Sequence, residues 1–373
     1  MANYGGAGVH PNYTGGTLSG SSYGDLSASN SFSIQKKMLP IALKLLTFSR
    51  FAQRDVKPLK DGLELRFRRY EKIDITGKDV PIAEGVTPNF ENVSQTTIKT
   101  QLSRYGTYVN VTDLMLAVHT DPLLEQISSR LATMAGELKD FLDFKVFRAG
   151  TNVAYGKSGG TGRGDVDRTI ANGVGITKAD YNTSSTVLNS ALLIQTAVRF
   201  LEGEDAMKLT EYLKASPNIA TAALRPAYIA VGHTDLRQDI EALPNFVKAE
   251  EYSDPSDRME GEIGQCLGIR FILTTQAIPY ADAGKNTASA EKLKSTSGTN
   301  VDVYPLIIMA QDFGGTATLA GRDSLRPTVV LPKPGPGDPL GQRGTVSVDF
   351  YHGAILLQPK YHYVIEVGAS SLS

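Results

Sequence analysis

A chain of 373 residues, 41% of them hydrophobic, is long enough for two domains and a sizeable core. Its formal net charge of −1 argues against a protein whose main task is to coat nucleic acid, which needs a strong basic excess, although a local basic patch remains compatible. Cys266 is the only cysteine, so there is no intrachain disulfide framework and no cysteine-based zinc site.

The start, MANYGGAGVHPNYTGG, lacks the basic and apolar regions of a secretory signal. No apolar run approaches the roughly 20 residues that span a bilayer. The expectation is a protein made, or assembled, in a reducing cytoplasm. Residues 1–31 are rich in Gly, Ser, Asn and Tyr, with Asp25 the one acid and no base. Such a segment cannot bury enough apolar surface to fold alone and reads as an arm. From Phe32 to Phe51 apolar and basic residues alternate in a helical manner, and Pro40 predicts two short pieces with a bend.

Leu63 to Arg68 alternates apolar and charged residues, the period of a half-exposed strand. Its expected partner is Thr97 to Val111, whose phase slips near Ser103-Arg104 as at a bulge or pivot. The intervening stretch of about 25 residues has little periodicity, and a loop of that length inside a compact domain calls for a function. It reads as a long hairpin that leaves the body and is held by something else.

Asp121 to Arg148 carries the strongest local signal. Leu123, Leu124, Ile127, Leu131, Met134, Leu138, Phe141, Leu142 and Val146 recur at steps of three and four, as on one buried helical face. Asp121 suits the cap, Pro122 the first helical position and Gly150 the end. Such a helix runs about 40 Å.

Tyr155 to Gly175 reads as a Gly-rich surface loop, Ser185 to Glu202 as a helix and Ala206 to Leu213 as a second helical stretch. Strands are expected at Ala227–Val231, Phe271–Thr275 and Leu306–Ala310, with a helix from Leu236 to Leu243. Ala281 to Asn300 reads as an exposed polar insertion. Further strands follow at Thr328–Leu331, Thr345–Tyr351, Ala354–Leu357 and Tyr361–Val367. Asp239 to Glu262 is acidic, with five Glu and three Asp against Lys248 and Arg258, a net charge of −6.

Motifs that carry chemistry fail in detail. Gly156-Lys157-Ser158 lacks the glycine that a phosphate-binding loop needs at position 151, where Thr stands. Gly160 and Gly162 are followed by Asp165 where a dinucleotide fingerprint needs a small residue. Arg163-Gly164-Asp165 in a Gly-rich loop is a chance tripeptide. The five histidines (His10, His119, His233, His352 and His362) show no ligand spacing; His352 and His362 read as packing residues near strand ends. No serine sits in a nucleophile elbow, and Asp254 with Asp257 reads as a solvated face. Cys266 reads as a small buried strand residue. The expectation is no enzyme, no catalytic residue, no metal and no cofactor. Arg66, Arg68, Arg69 and Lys72 form a basic cluster that reads either as a solvated face or, on a projecting hairpin, as a match for a neighbour's acidic stretch, each pair worth about 0–1 kcal/mol.

Arm, projecting hairpin, long helix, mixed α/β domain and returning strands come in an order that resembles the major capsid protein of tailed double-stranded DNA bacteriophages, the Hong Kong 97-like fold. Leu65-Arg66-Phe67-Arg68-Arg69-Tyr70, Ala83-Glu84-Gly85-Val86-Thr87-Pro88, Arg104-Tyr105-Gly106-Thr107-Tyr108 and Gly341-Gln342-Arg343-Gly344-Thr345-Val346 look like its N-four-type branch. The resemblance covers about residues 35 to 367 and implies an α+β fold. Its parts would be an N-terminal arm (1–53), an extended β-hairpin loop (54–104), a peripheral domain with the spine helix (105–178 and 326–373) and an axial α/β domain (179–325).

It further implies a shell of hexamers and pentamers of this chain around packaged double-stranded DNA, touched weakly on the inner face. Separate scaffolding, portal and decoration proteins are the expected partners, with no membrane. Candidate intersubunit contacts are Arg66, Arg68, Arg69, Lys72, Lys78, Glu84, Glu250 and Glu251. Some relatives crosslink a loop lysine, and Lys78 is the obvious position here, without a matching environment. The alternatives are an encapsulin-like compartment shell and a monomeric binding or adhesion protein that works through its loops.

Overall fold

The computed structural model describes residues 47–58, 60–71, 73, 84–85, 92–118, 123–156, 162–171, 192–209, 226–252, 259–286, 292–320, 327–334 and 337–371. Residues 1–46 of the expected arm, most of the hairpin tip, Asp121, Pro122, Asp254 and Asp257 lie outside them. In chain order the elements are helix α1 (Phe48–Phe51), strands β1 (Gln53–Lys57), β2 (Glu64–Tyr70), β3 (Gln95–Gln101) and β4 (Ser103–Thr112), helices α2 (Asp113–Val118) and α3 (Leu123–Phe147), and strand β5 (Val153–Tyr155). Helix α4 (Leu192–Gly203), strand β6 (Tyr228–His233) and helix α5 (Arg237–Glu241) follow. Strands β7 (Val247–Lys248), β8 (Glu262–Cys266), β9 (Ile269–Thr274), β10 (Tyr304–Met309), β11 (Gly314–Leu319), β12 (Pro327–Val330), β13 (Arg343–Leu356) and β14 (His362–Val367) complete the set.

The chain divides into two units. The larger holds Lys44–Gly106, Thr133–Arg326 and Asp349–Ser373; the described part of the smaller falls in Thr107–Ala132 and Pro327–Val348. The larger unit is built on a seven-stranded mixed sheet in the order β5-β14-β10-β6-β9-β8-β7. β6 pairs parallel with β9, and β14 parallel with β5. The central strands read as continuous apolar runs because both faces of the sheet are covered. On one face Tyr228, Ala230, Leu306 and Ile308 pack with Leu193, Ile194, Ala197 and Leu201 of α4 and Ile240 of α5. On the other, Ile229, Val231, Ile307 and Met309 pack with Phe48 of α1 and with Phe144 and Phe147 of α3. The alternation within β6 thus feeds two separate cores.

The long helix forms as its periodicity predicts, but its buried face is not the expected one. Leu131, Ala135, Asp140, Asp143, Phe144 and Phe147 are buried, whereas Met134 is exposed and Leu138, Phe141, Leu142 and Val146 are only half-buried. The reason is that two carboxylates belong to the buried side. Asp140 accepts hydrogen bonds from the backbone N–H groups of Thr47 (3.1 Å), Phe48 (2.8 Å) and Ser49 (3.1 Å). It thereby satisfies donors that a helix start leaves orphaned. Asp143 Oδ1 lies 2.7 Å from Nε2 of His352, itself buried. A count of apolar residues scores both acids as solvent-facing.

Other expectations need correction. His352 lies in the middle of β13, not near a strand end; His362 does begin β14. The two expected strands at Thr345–Tyr351 and Ala354–Leu357 are one 14-residue strand. The sequence pattern does not mark β1, β5, β7 or β11: β7 is two residues long, β5 three, and β11 opens on Gly314-Gly315. Residues 206–209 are not helical; the rest of that expected helix lies outside the described residues, as do 185–191.

Buried charge in the larger unit is paired. Arg270 holds Glu262 through two bonds of 2.7 and 2.6 Å, and Tyr252 donates to the same carboxylate at 2.7 Å. Arg163, from the tripeptide read as chance, forms a two-bond pair with buried Glu366 at 2.7 and 2.5 Å and stacks on Tyr280.

His362 is the exception. It is wholly buried and stacks on Phe313, and neither ring nitrogen makes a well-formed hydrogen bond among the described residues. Gly150 approaches so closely that a Cβ there would lie 2.3 Å from Nδ1. Burial pushes this imidazole down to about 4, opposed only in part by the Phe147 backbone. Below the ordinary histidine value the unfolded chain takes up a proton that the folded chain refuses. Stability should therefore fall as pH drops from about 6.5 towards 4, by on the order of 3 kcal/mol in all. Denaturant titrations should show this slope diminished in His362→Phe relative to the parent chain; equal slopes contradict it.

Candidate functional site

β2 and β3 form a two-stranded antiparallel ribbon, with Glu64 opposite Gln101 and Tyr70 opposite Gln95. Strict alternation separates its faces. Leu65, Phe67 and Ile98 point to one side and are half-buried, while Glu64, Arg66, Arg68 and Lys99 point to the other and are exposed. The chain turns from β3 into β4 at Leu102, which is 2% exposed and donates its N–H to the Leu63 carbonyl. That buried residue between exposed neighbours is the phase slip expected near Ser103-Arg104.

The ribbon root lies close against β11 and β13, where glycines leave room for it. A Cβ on Gly353 would come within 3.1 Å of the Gln101 carbonyl and 3.4 Å of Thr100 Oγ1. Phe67 reaches to 3.4 Å of the Cβ position of Gly315. Beside the root, a cleft of about 830 Å³ is lined by Phe67, Arg68, Arg69, Glu204, Asp312 and Lys360, among others. A second groove of about 610 Å³ runs between Thr100, Tyr105 and the half-buried Leu142, Val146 and Ala149 of α3.

The structure divides the expected contact residues. Arg69 is not part of an outward cluster: it turns inward, donating to Glu71 (2.6 Å) and to the Leu357 carbonyl (3.1 Å). Its guanidinium and the Thr96 hydroxyl hold the Glu71 carboxyl below its usual range. Arg66 faces out beside Glu64 at 3.0 Å, with Lys99 at 3.5 Å from the same carboxylate. The Arg66 hydrogen bond is the largest cause that lowers Glu64. Arg68 is exposed, with no ion pair among the described residues. Glu84 sits exposed in a turn before Gly85 (φ +79°), while Lys72 and Lys78 lie outside the described residues.

Glu250 and Glu251 are exposed in a short 3-10 turn after β7, the edge strand of the seven-stranded sheet. No ion pair among the described residues of one subunit joins them to Arg66, Arg68 or Arg69. The acidic stretch around them is not wholly solvated. Asp239 is buried and accepts from Ser370 N (2.9 Å) and Oγ (2.5 Å), and Glu262 is taken up by Arg270. Partners 8 and 131 positions away leave no local signal.

Among the described residues no group of three or more His, Cys, Asp or Glu is placed to hold a metal ion, and no helix is long and apolar enough to cross a membrane. What the geometry offers is surface: a basic ribbon face, an acidic turn and two grooves.

Comparison with known proteins gives these surfaces a context. A family model described as phage capsid protein matches residues 95–361. The major capsid protein of Pseudomonas phage KPP21 is 22% identical over 181 residues, which spans 45% of this chain and 46% of that relative. The capsid structure of Ralstonia phage GP4 is similar over 96% of this chain and 100% of its own, with a TM-score of 0.56 at 13% identity. The capsid of cyanophage P-SCSP1u is similar over 91% and 93%, with a TM-score of 0.55 at 13% identity. That of cyanophage Pam1 covers 92% and 98%, with a TM-score of 0.54 at 15% identity. At these identities the structural likeness establishes the Hong Kong 97-like fold.

The close approach at the ribbon root is testable. Gly353→Val drives a branched side chain towards the Gln101 carbonyl and should cost about 1–3 kcal/mol. Amide exchange in Gln95–Gln101 should quicken while β6 and β10 stay protected. Unchanged exchange in the ribbon means that Gly353 does not set its position.

Proposed function

Because the chain belongs to the phage capsid protein family, we propose that it is the major capsid protein whose copies assemble into the icosahedral head shell of a tailed bacteriophage. The observation that carries this reading is the family match over residues 95–361, which takes in the ribbon's second strand, the long helix and strands β4 to β13. The surfaces described above have no chemistry to perform within one subunit, and a shell gives them partners. The family is a structural one, and no catalytic role is proposed.

In this reading residues 1–53 are an arm, 54–104 an extended loop, 105–178 with 326–373 a peripheral domain and 179–325 an axial domain. The exposed face of Arg66 and Arg68 reaches over a neighbouring copy, with Lys72 and Lys78 as further candidate bases. Glu250 and Glu251 of that copy supply opposite charge, with Glu84 available to a basic partner. Each exposed pair contributes little, about 0–1 kcal/mol, but repetition across a lattice fixes register. Scaffolding, portal and decoration proteins are the further partners. A net charge near zero suits a wall that encloses double-stranded DNA without gripping it, and assembly takes place in the host cytoplasm.

Light scattering and negative-stain microscopy of the purified chain, alone and with co-expressed scaffolding protein, test the assignment. Closed particles that contain DNA when isolated from infected cells are expected. A chain that stays monomeric under all these conditions, or particles filled with an enzyme, refutes it. Deletion of residues 73–93 should leave a cooperatively folding subunit that forms no shells. Normal particles from that variant mean that the loop is not the interlocking element.

A further inference from the structure

The smaller unit does not close a core of its own among its described residues. Val111, Leu131, Val346 and Val348 are its buried large apolar side chains, while Tyr108, Leu114, Val329, Val330, Leu331 and Leu340 are at least 42% exposed. Three of these are consecutive and lie on or just past β12. β12 pairs antiparallel with β13, Val329 opposite Val346 and Val330 opposite Thr345. β13 is its one strand partner among the described residues, so its other edge is unpaired there.

The buried row of β13 therefore continues outward to Val329 and is left in solvent there. An edge strand that presents free backbone groups and apolar side chains is a template for another strand. Proteins normally blunt such edges with charge. Thr328-Val329-Val330-Leu331 carries none; Pro327 stands at the start of the strand, and Lys333 comes two residues past Leu331.

We propose that the free edge of β12 pairs antiparallel with the β12 edge of a second copy, as a two-fold contact between subunits. This rests on the shell reading. Charge selects the occupant. The described alternative strand donor, the β2–β3 ribbon, presents Arg66, Arg68 and Lys99. This strip has no acid to meet them. Two copies of a neutral apolar strip are self-complementary, and a two-fold operator needs only one patch facing itself.

Area sets the strength. A pair of four-residue strands buries far less than the roughly 1,000 Å² expected of a stable dimer. The contact therefore forms in the lattice, where other interfaces hold the copies in place, and not between free chains. In a pair centred on Val329, Val330 lies opposite Thr328 of the second copy.

Cysteine cross-linking reads this directly. Thr328→Cys, Val329→Cys, Val330→Cys and the Thr328→Cys/Val330→Cys double variant are assembled, checked for particles by microscopy, and oxidised. The parent chain is the control, since its one cysteine, Cys266, is buried. Disulfide-linked dimers are expected from particles of at least one variant, and only monomer from the parent and from unassembled chains. Normal particles that yield no dimer from any of the four overturn the proposal. So do particles in which these cysteines link only to one placed at Arg68 on the ribbon. A second readout guards against disturbed strands: Val330→Lys sets two cations across the axis, and particle yield should fall at least about tenfold with thermal unfolding of the free subunit unchanged. Undiminished yield overturns the proposal as well. Failure of the parent chain to form particles is a different result, which falls on the shell assignment.

Discussion

Asp140 and Asp143 sit less than one turn apart on the long helix, and both are removed from water. Taking a carboxylate into the interior is costly unless hydrogen bonds replace its hydration. At Asp140 they come from three consecutive backbone N–H groups; at Asp143, from an imidazole. Burial is nevertheless the largest influence on Asp140, raising its pKa above the ordinary aspartate value, with the Ser49 and Thr47 N–H groups opposing and Asp143 adding to the rise. A carboxyl whose folded pKa is raised contributes less to stability once pH exceeds that pKa. At neutral pH the group is thus kept for position: it fixes where Thr47–Ser49 meet the long helix, and β1 starts four residues after Ser49.

The same two residues explain how much of the fold was legible. The helix was readable because leucine, isoleucine and phenylalanine recur along it, yet the face they mark is half in solvent. Asp140 and Asp143 are polar by any scale and are buried because Thr47–Ser49 and His352 come to them from 92 and 209 positions away. Short-range pattern carries no trace of such partners. The ribbon was readable for the opposite reason. Its information is local, a period of two with one slip, and the slip is Leu102.

The candidate contacts were read with similar unevenness. Arg66, Arg68 and Arg69 look like one basic cluster in the sequence, but alternation already sets Arg69 on the side of Leu65 and Phe67, and it is spent on Glu71 and a carbonyl of the body. The acidic stretch looks uniform, yet Asp239 and Glu262 are interior residues. Among the described residues the expected contacts that remain available to a neighbour are Arg66 and Arg68 on the ribbon, and Glu84, Glu250 and Glu251 as acids. Apolar Thr328–Leu331 gave only a strand signal, because an edge and a centre share the same composition.

β14 runs through the interior of the seven-stranded sheet, between β5 and β10, although it comes last in sequence among the described strands. Until Val367 has emerged from the ribosome, β10 lacks one of its two neighbours and Arg163 lacks the carboxylate of Glu366. Fragments released early by a stalled or broken message thus cannot complete the central sheet. In a closed shell of many copies, where one defective member opens a hole, this placement makes synthesis of β14 a condition of entry.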